Sequence, residues 1–457
     1  MAADERYESL IALGERVVEA AQKGGATVAE ASVREGSHLT AKIRMREPEL
    51  VEEAGSRALG LRVMIGQQVA VSYTSDLSDA GVSRLVEDAL ELAQLSEADP
   101  FAGAPDPSLL SKREQHVDLE LFDEEMGSLG AGEAISRATE GEAAALDSDE
   151  RISNSDGSTF SRAAGGGVLV TSGGFRGGNR GTYASLSVVP VAADEDGKNR
   201  RGYHWSAKRH LAELDSAKEV GLEAARRTLR KLGAKKVDTQ EAPVVFDPDA
   251  GRSILGLLAG CVNGSAIWRK TSYLLDKENE RIASDLVTIV DDPLIPRAPG
   301  SRPYDGEGLL SRKNLVVEKG VLKTFLLDSY SARKLDKEST ASASRGASGG
   351  VGPSTSNFIL SPGAISHDEL VKSTKKGLYV TEMMGFGFNA VTGDFSRGAA
   401  GFWIENGELA FPVSEVTISL NLDELLKRID AVADDLDLRT SIAAPTFRVS
   451  SMTIAGK

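Results

Sequence analysis

Thr392-Gly-Asp-Phe-Ser-Arg-Gly-Ala-Ala-Gly-Phe-Trp-Ile-Glu-Asn-Gly-Glu408 decides how this chain is read, because its residues dictate several local geometries in one short run. Thr392-Gly393-Asp394 has the composition of a turn. Gly398 and Gly401 permit close approach of a neighbouring backbone, and Phe402-Trp403-Ile404 begins a strand. Asn406-Gly407 suits the two left-handed positions of a type I′ hairpin turn, so residues 409–413 are expected to form the return strand. Asp394, Ser396 and Arg397 admit two readings. They brace the loop internally, or they bind and align a peptide, since arginine pairs a carboxylate and an exposed strand edge holds peptide backbone.

Working outward, Val416, Ile418 and Leu420 alternate with polar residues as a strand, and Leu422, Leu425, Leu426, Ile429 and Val432 form a helical stripe. Ser366-His-Asp-Glu369 has the spacing of a capping box. Residues 339–356, rich in Ser, Ala and Gly, are assigned as a mobile loop. Residues 315–327 form an apolar run whose centre, Lys319-Gly320, is a hairpin turn. Residues 243–246 are an apolar strand leading into Asp247-Pro248, where the aspartate caps a helix and proline takes its first position.

Toward the N-terminus, Leu10, Leu13, Val17 and Ala21 predict a helix over 5–23, ended by Gly24-Gly25. Residues 30–46 and 56–73 read as strands. A second helix spans 77–95, carried by Val82, Leu85, Val86, Ala89 and Leu90. Pro100, Pro105 and Pro107 mark a linker. A second unit starts near Asp118, with a helix over 124–140, strands between 143 and 190, and a closing helix over 216–232. Gly165-Gly166-Gly167, Gly173-Gly174 and Gly177-Gly178 invite a phosphate-loop reading. No Gly-Lys-Ser/Thr follows, however, and no G-x-G-x-x-G opens a helix, so they are assigned to turns or bulges between antiparallel strands. The fold class is α+β: a mixed N-terminal domain (1–99), a strand-rich middle domain with flanking helices (118–234) and a C-terminal domain (241–457).

At 457 residues the chain exceeds one ordinary core, in line with two or three domains. Lysine and arginine number 53 against 68 acidic residues, and the net charge of −15 repels phosphate backbones and anionic lipid. The basic run Lys198-Asn-Arg-Arg201 adjoins Asp194-Glu195-Asp196 and reads as a solvated loop. Cys261 is the single cysteine, which excludes an intrachain disulfide and a multi-thiolate zinc site and fits a reducing compartment. No run approaches about 18 apolar residues, and the start lacks a basic region followed by an apolar core. A soluble cytoplasmic protein without nucleic-acid or membrane contacts is expected. His38, His116, His204, His210 and His367 are scattered, with no pair at i,i+3 or i,i+4, and are read as surface or loop residues. Cys261, on an Ala/Leu-rich helix, is read as a packed core residue. Asp291, Asp292, Asp305 and Glu307 fall in Pro/Gly-rich loops and are read as turn residues or solvated charges. No G-x-S-x-G nucleophile elbow is present.

Residues 389–421 resemble the TldD/PmbA (TldD/TldE) family, and within it the PmbA, or TldE, branch. The resemblance extends through Trp268-Arg-Lys-Thr-Ser-Tyr-Leu-Leu-Asp276, Tyr304-Asp-Gly-Glu-Gly308, Ser329-Tyr-Ser-Ala-Arg-Lys-Leu335 and Met452-Thr-Ile-Ala-Gly456. It covers most of the chain after Pro243 and is weaker before Lys235. It implies a curved, barrel-like C-terminal sheet and a cytoplasmic two-subunit protease, whose TldD-type chain holds zinc through His-Glu-x-x-x-His and a ligand near its C-terminus. Counting back from Arg269 places Gly256-Leu-Leu-Ala-Gly-Cys261 where that motif would lie. Gly256 and Leu257 offer neither ligand nor base, and residues 439–446 add no thiol or imidazole to Cys261.

The expectation is therefore a chain with no catalytic residue and no metal of its own, paired with a zinc-bearing TldD-type metalloprotease subunit. Asp394, Ser396 and Arg397 would bind substrate at the inter-subunit cleft. The resemblance implies extended or unfolded peptide substrates, including microcin precursors and labile antitoxins in some bacteria. The family's older label, modulator of DNA gyrase, fits an indirect effect. Two alternatives stand beside this: a peptidase working by another mechanism, and a peptide-binding scaffold homodimer with no protease partner.

Overall fold

A computed structural model describes residues 3–195 and 197–457. Asp196, in the acidic cluster beside the basic run, and the first two residues of the chain start lie outside the described residues. The fold is mixed, with about 26% helix and 39% strand.

The N-terminal sheet is antiparallel and unusually long-stranded. Val28–Arg44 is flanked by Glu47–Ile65 on one side and by Ile152–Thr171 on the other. Arg176–Ala193 pairs with the latter, and Gln68–Thr74 adds an edge. One continuous sheet thus runs through both units upstream of residue 234. Side chains alternate across a strand, and Ala29, Ala31, Val33, Leu39, Ala41 and Ile43 all lie on one face of Val28–Arg44. Helices Ala3–Lys23 and Asp79–Leu95 cover one end of that face, and Ala131–Leu146 and Ala217–Leu229 cover the other. The opposite face carries Glu30, Ser32, Arg34, Gly36 and His38, and it is turned toward the C-terminal region.

The expected helices and strands at 5–23, 77–95 and 216–232 correspond to Ala3–Lys23, Asp79–Leu95 and Ala217–Leu229. The middle helix is two helices, Glu124–Ser128 and Ala131–Leu146, broken at Leu129-Gly130. The glycine clusters differ from expectation. Gly173-Gly174 is a turn, with Gly174 at φ +100°. Gly165–Gly167 and Gly177–Gly178 sit in unbroken antiparallel pairing instead. A Cβ at Gly165 would lie 2.5 Å from the Glu35 carbonyl, and one at Gly166 2.4 Å from that of Asn179. Neighbouring backbone, not a turn, requires glycine there.

The C-terminal region is built on a closed five-stranded barrel: Glu408–Asn421, Asp394–Glu405, Lys376–Met384, Gln240–Phe246 and Phe447–Ala455. It closes where Thr417–Ser419 pair with Thr453–Ala455. The barrel-like sheet implied by the resemblance is present. Helix Pro248–Cys261 packs between the barrel and a second five-stranded sheet containing Ile289–Asp291, Asn314–Glu318 and Phe358–Leu360. Its start is as read: the Asp247 side chain accepts a bond from the Ala250 N–H, and Pro248 follows. The Ser366/Glu369 capping box and the Lys319-Gly320 turn are also formed.

Two expectations here are overturned. Residues 339–356 are not a mobile loop: Ala341, Ser342, Ala343 and Arg345 are buried, and Ala343–Arg345 pairs with Val351–Pro353. The helical stripe 422–432 divides, with Leu422–Lys427 helical and Ile429–Val432 a strand against Phe447–Val449. The Pro-rich linker is pinned to helix Ser329–Lys334, where Arg333 donates to the carbonyls of Phe101 and Gly103 at 2.7 and 2.8 Å.

Candidate functional site

The quoted run forms the strand Asp394–Glu405 and the hairpin beyond it, with Asn406 at φ +53° and Gly407 at φ +81°, both left-handed as the turn requires. Gly401 allows the expected close approach, since a Cβ there would lie 1.9 Å from the Tyr379 carbonyl oxygen. Asp394 is exposed and accepts bonds from Thr392 Oγ1 at 2.7 Å and Asn421 Nδ2 at 3.2 Å, which hold its carboxyl below the usual range. Ser396 is also exposed, and its N–H donates to the Gly387 carbonyl at 2.8 Å. Arg397 is half-buried, and its Nε has no hydrogen-bond partner among the described residues. Strand alternation puts Asp394 and Ser396 on one face and Arg397 on the other. Asp394 therefore braces its turn, while Arg397 keeps a buried, uncommitted donor. The loop before the strand exposes Phe386 completely and Met384 and Val391 by about half, at 100%, 51% and 55%.

A zinc site of the type implied by the resemblance fails at its donors. Gly256 and Gly260 present no side chain, and open space lies around Gly260. Leu257 packs against the core. Cys261 is fully buried, and burial pushes its thiol up to about 11, so it is a neutral, inward-facing group at pH 7. Among the described residues, no group of three or more His, Cys, Asp or Glu is arranged to hold a metal ion. The histidines stay apart. His367 hydrogen-bonds with Tyr379 Oη at 3.0 Å, His116 with Ser111 Oγ at 2.9 Å, and burial lowers His204 to about 4.

The feature that sequence reasoning missed is a cavity of about 790 Å³ between the C-terminal-facing side of the long sheet and residues 302–306 and 343–347. Its floor is the glycine-lined stretch of Val28–Arg44, Ile152–Thr171 and Arg176–Ala193, and its walls carry Arg34, Arg209, Arg302 and Arg345. Behind it lies a buried ion cluster in which Glu30 Oε2 accepts from Arg345 Nη2 at 2.7 Å and from Arg62 Nη1 at 3.1 Å. The two guanidinium groups outweigh the burial penalty and keep Glu30 below its usual range. Along its floor the cavity adjoins a second of about 800 Å³ lined by the same Gly165–Gly167 stretch.

Three domains of one family match this chain in order: PmbA/TldA metallopeptidase domain 1 at residues 29–93, its central domain at 124–232 and its C-terminal domain at 239–456. Metalloprotease PmbA of Escherichia coli O157:H7 is 36% identical over 94% of this chain and 92% of its own length. The chain belongs to the PmbA/TldD metallopeptidase family. A Bacteroides thetaiotaomicron structure, described as a candidate modulator of DNA gyrase, is 29% identical with a TM-score of 0.92 and full coverage of both chains. TldE from Thermococcus kodakarensis, at 21% identity and a TM-score of 0.87 over 97% of this chain and 100% of its own, shares the fold.

Three carboxyls expected to be turn residues or solvated charges are buried instead: Asp305 and Glu307, within the Tyr304–Gly308 segment, and Asp291 upstream of it. Asp305 is buried and accepts from the N–H groups of Glu307 and Leu309 through Oδ1 and from Ala343 through Oδ2. Glu307 is buried against the start of helix Ser329–Lys334 and accepts from Ser329 N and Oγ at 2.9 and 2.7 Å. Asp291 accepts from Ser356 N at 2.7 Å. Burial raises the pKa of all three. Asp292 keeps the looser role: its Oδ1 accepts from Leu294 N, a turn bond. The Tyr304-Asp-Gly-Glu-Gly308 motif is thus a structural clasp, with Asp305 in the lining of the cavity and Glu307 bracing it from behind.

Proposed function

We propose that this chain is a peptide-holding subunit of a TldD/TldE-type metalloprotease, working in the cytoplasm, without metal chemistry of its own. The observation that carries the reading is helix Pro248–Cys261, which occupies a central place in the C-terminal domain yet offers a glycine, a leucine and a buried neutral thiol at 256, 257 and 261, where the zinc motif needs imidazole or carboxylate. Family membership and a cavity of peptide-binding size support a role in holding substrate, and roughly 300–1,000 Å³ is usual for ligand sites. Among the described residues no helix is long and apolar enough to cross a membrane. Zinc and the water-activating machinery would come from a TldD-type partner, and Arg397 beside the exposed Met384–Val391 loop would contribute to the peptide-contacting wall.

The purified chain is incubated with an unfolded peptide, with and without a TldD-type partner and zinc. Cleavage is expected only in the presence of the partner, at a rate that rises with this chain and with a complex visible by size exclusion. Cleavage by the metal-free chain alone refutes the noncatalytic reading. A partner that cleaves equally well without this chain refutes the subunit reading.

A further inference from the structure

The arginines of the cavity differ in what they are already doing. Arg345 is committed to Glu30 and to the carbonyls of Gly306 and Gly349. Arg209 is spent on backbone, donating to the carbonyls of Ala298, Thr182 and Pro299. Arg34 makes one bond, to the Arg345 carbonyl, and has no acidic partner among the described residues. Arg302 has neither an ion pair nor a side-chain hydrogen bond among them, and its Nε is enclosed without a partner. A buried guanidinium donor left unpaired costs stability that a ligand would return.

Nearby acids do not satisfy this demand. Asp305 and Asp291 lie close enough to Arg302 to be felt electrostatically. Their oxygens accept backbone N–H groups instead of a guanidinium, and burial raises the pKa of both. Glu35, which also lines the cavity with a largely buried side chain, faces Arg57 at 3.9 Å. Within a chain of net charge −15, the cavity lining gathers Arg34 and Arg302, neither in an ion pair among the described residues, beside the carboxyls of Asp305 and Glu35. The guanidinium fork matches a carboxylate in geometry and charge. The floor is lined by glycines and leads into the adjoining cavity of about 800 Å³, so the carboxylate's carrier has room to lie extended along the strands.

We propose that the cavity is a carboxylate-binding subsite, in which Arg34 and Arg302 grip the C-terminal or side-chain carboxylate of a peptide lying along the glycine-lined strands. This rests on the peptide-holding reading and adds the chemistry of what is held. It gives the subunit a preference for acidic or C-terminal segments, independent of any metal.

The test uses the full chain and three N-terminally fluorescein-labelled hexapeptides of one neutral sequence, followed by fluorescence anisotropy. One ends in a free carboxylate, one in an amide, and one in an amide with a single internal glutamate. The free-acid or the glutamate peptide is expected to bind at least tenfold more tightly than the neutral amide, and whichever does so identifies the source of the carboxylate. Arg34→Gln and Arg302→Gln are each expected to remove that preference. Arg34 is exposed, so its variant remains informative should the Arg302 variant fold poorly. Equal binding of all three peptides, or an undiminished preference in folded Arg34→Gln, overturns the carboxylate assignment and leaves peptide holding intact. No binding of any peptide overturns both.

Discussion

Gly401 supplies a sharp test of the barrel, because the obstacle to a side chain there is backbone. A Cβ at this position would stand 1.9 Å from the Tyr379 carbonyl oxygen and 3.0 Å from Val380 Cα, whereas ordinary contact begins near 3.4 Å. Relief requires the strands Lys376–Met384 and Asp394–Glu405 to separate by about 1.5 Å, a large fraction of the usual spacing of about 4.8 Å. Overpacking of that kind costs roughly 1–3 kcal/mol. One or two ladder hydrogen bonds are lost with it, at about 1 kcal/mol each. Gly401→Ala is therefore expected to destabilise the C-terminal region by about 2–5 kcal/mol. Gly398→Ala, three residues earlier on the same strand, is the control: its Cβ would meet Met384 Cβ at 3.5 Å, an ordinary contact. It is expected to be neutral within about 1 kcal/mol, since the lost backbone freedom of the unfolded chain offsets any crowding. Urea unfolding followed by the fluorescence of buried Trp403 reads both. With a slope of about 2–3 kcal/mol per molar, Gly401→Ala should lower the midpoint by about 0.7–2.5 M. A Gly401→Ala midpoint within about 0.2 M of the parent, or a Gly398→Ala variant equally damaged, refutes the argument.

Further outcomes follow from the buried charges and the metal-like helix. Glu30→Ala leaves Arg62 and Arg345 buried without their shared carboxylate, and a loss of roughly 3–5 kcal/mol is expected in the same urea assay. Asp247, raised to about 7 by burial, is protonated in the fold at pH values where it ionises in the unfolded chain. Its contribution is thus complete below the unfolded value near 4 and lost as pH rises toward 7, so Asp247→Asn, which keeps the helix cap, should flatten the fall in stability over that window. Melting temperatures from pH 4 to 8 check this, and an unchanged slope refutes it. Cys261 should resist Ellman's reagent in the native chain and react within minutes in denaturant. Gly256→His with Gly260→His places two imidazoles at i,i+4 on a helix face with room for them, so the double variant should gain a zinc-dependent rise in melting temperature that the parent lacks.

What the sequence disclosed depended on the range of the interactions involved. The Asn406-Gly407 turn, the Asp247-Pro248 helix start and the Ser366/Glu369 box were legible because each is settled by residues within a turn of one another. The Gly165–Gly167 run was misread because its reason is the Glu35 and Asn179 carbonyls, which the sheet brings alongside. The same holds for residues 429–432, where pairing with Phe447–Val449 overrides a helical pattern. Residues 339–356 have loop composition and are nonetheless ordered, through the reach of Arg345 to Glu30 across 315 positions. Asp305 and Glu307 looked solvated because their surroundings in sequence are Gly and Pro; the turn bonds from Glu307 and Leu309 to Asp305 are local, but the contacts from Ala343 and Ser329 come from distant sequence.

The two halves of the functional reading divide along the same line. The expectation that Gly256, Leu257 and Cys261 hold no zinc was drawn from sequence, because a helical metal motif is local by construction. The cavity was invisible, because Arg34 comes from the first long strand, Arg302 from a loop of the C-terminal domain, and the floor from three strands that meet only in the folded sheet. A helical motif can therefore be read directly from sequence, whereas a cavity assembled by long-range packing cannot. On the proposed reading the arginines of that cavity, not Gly256, Leu257 or Cys261, are the guide to a ligand.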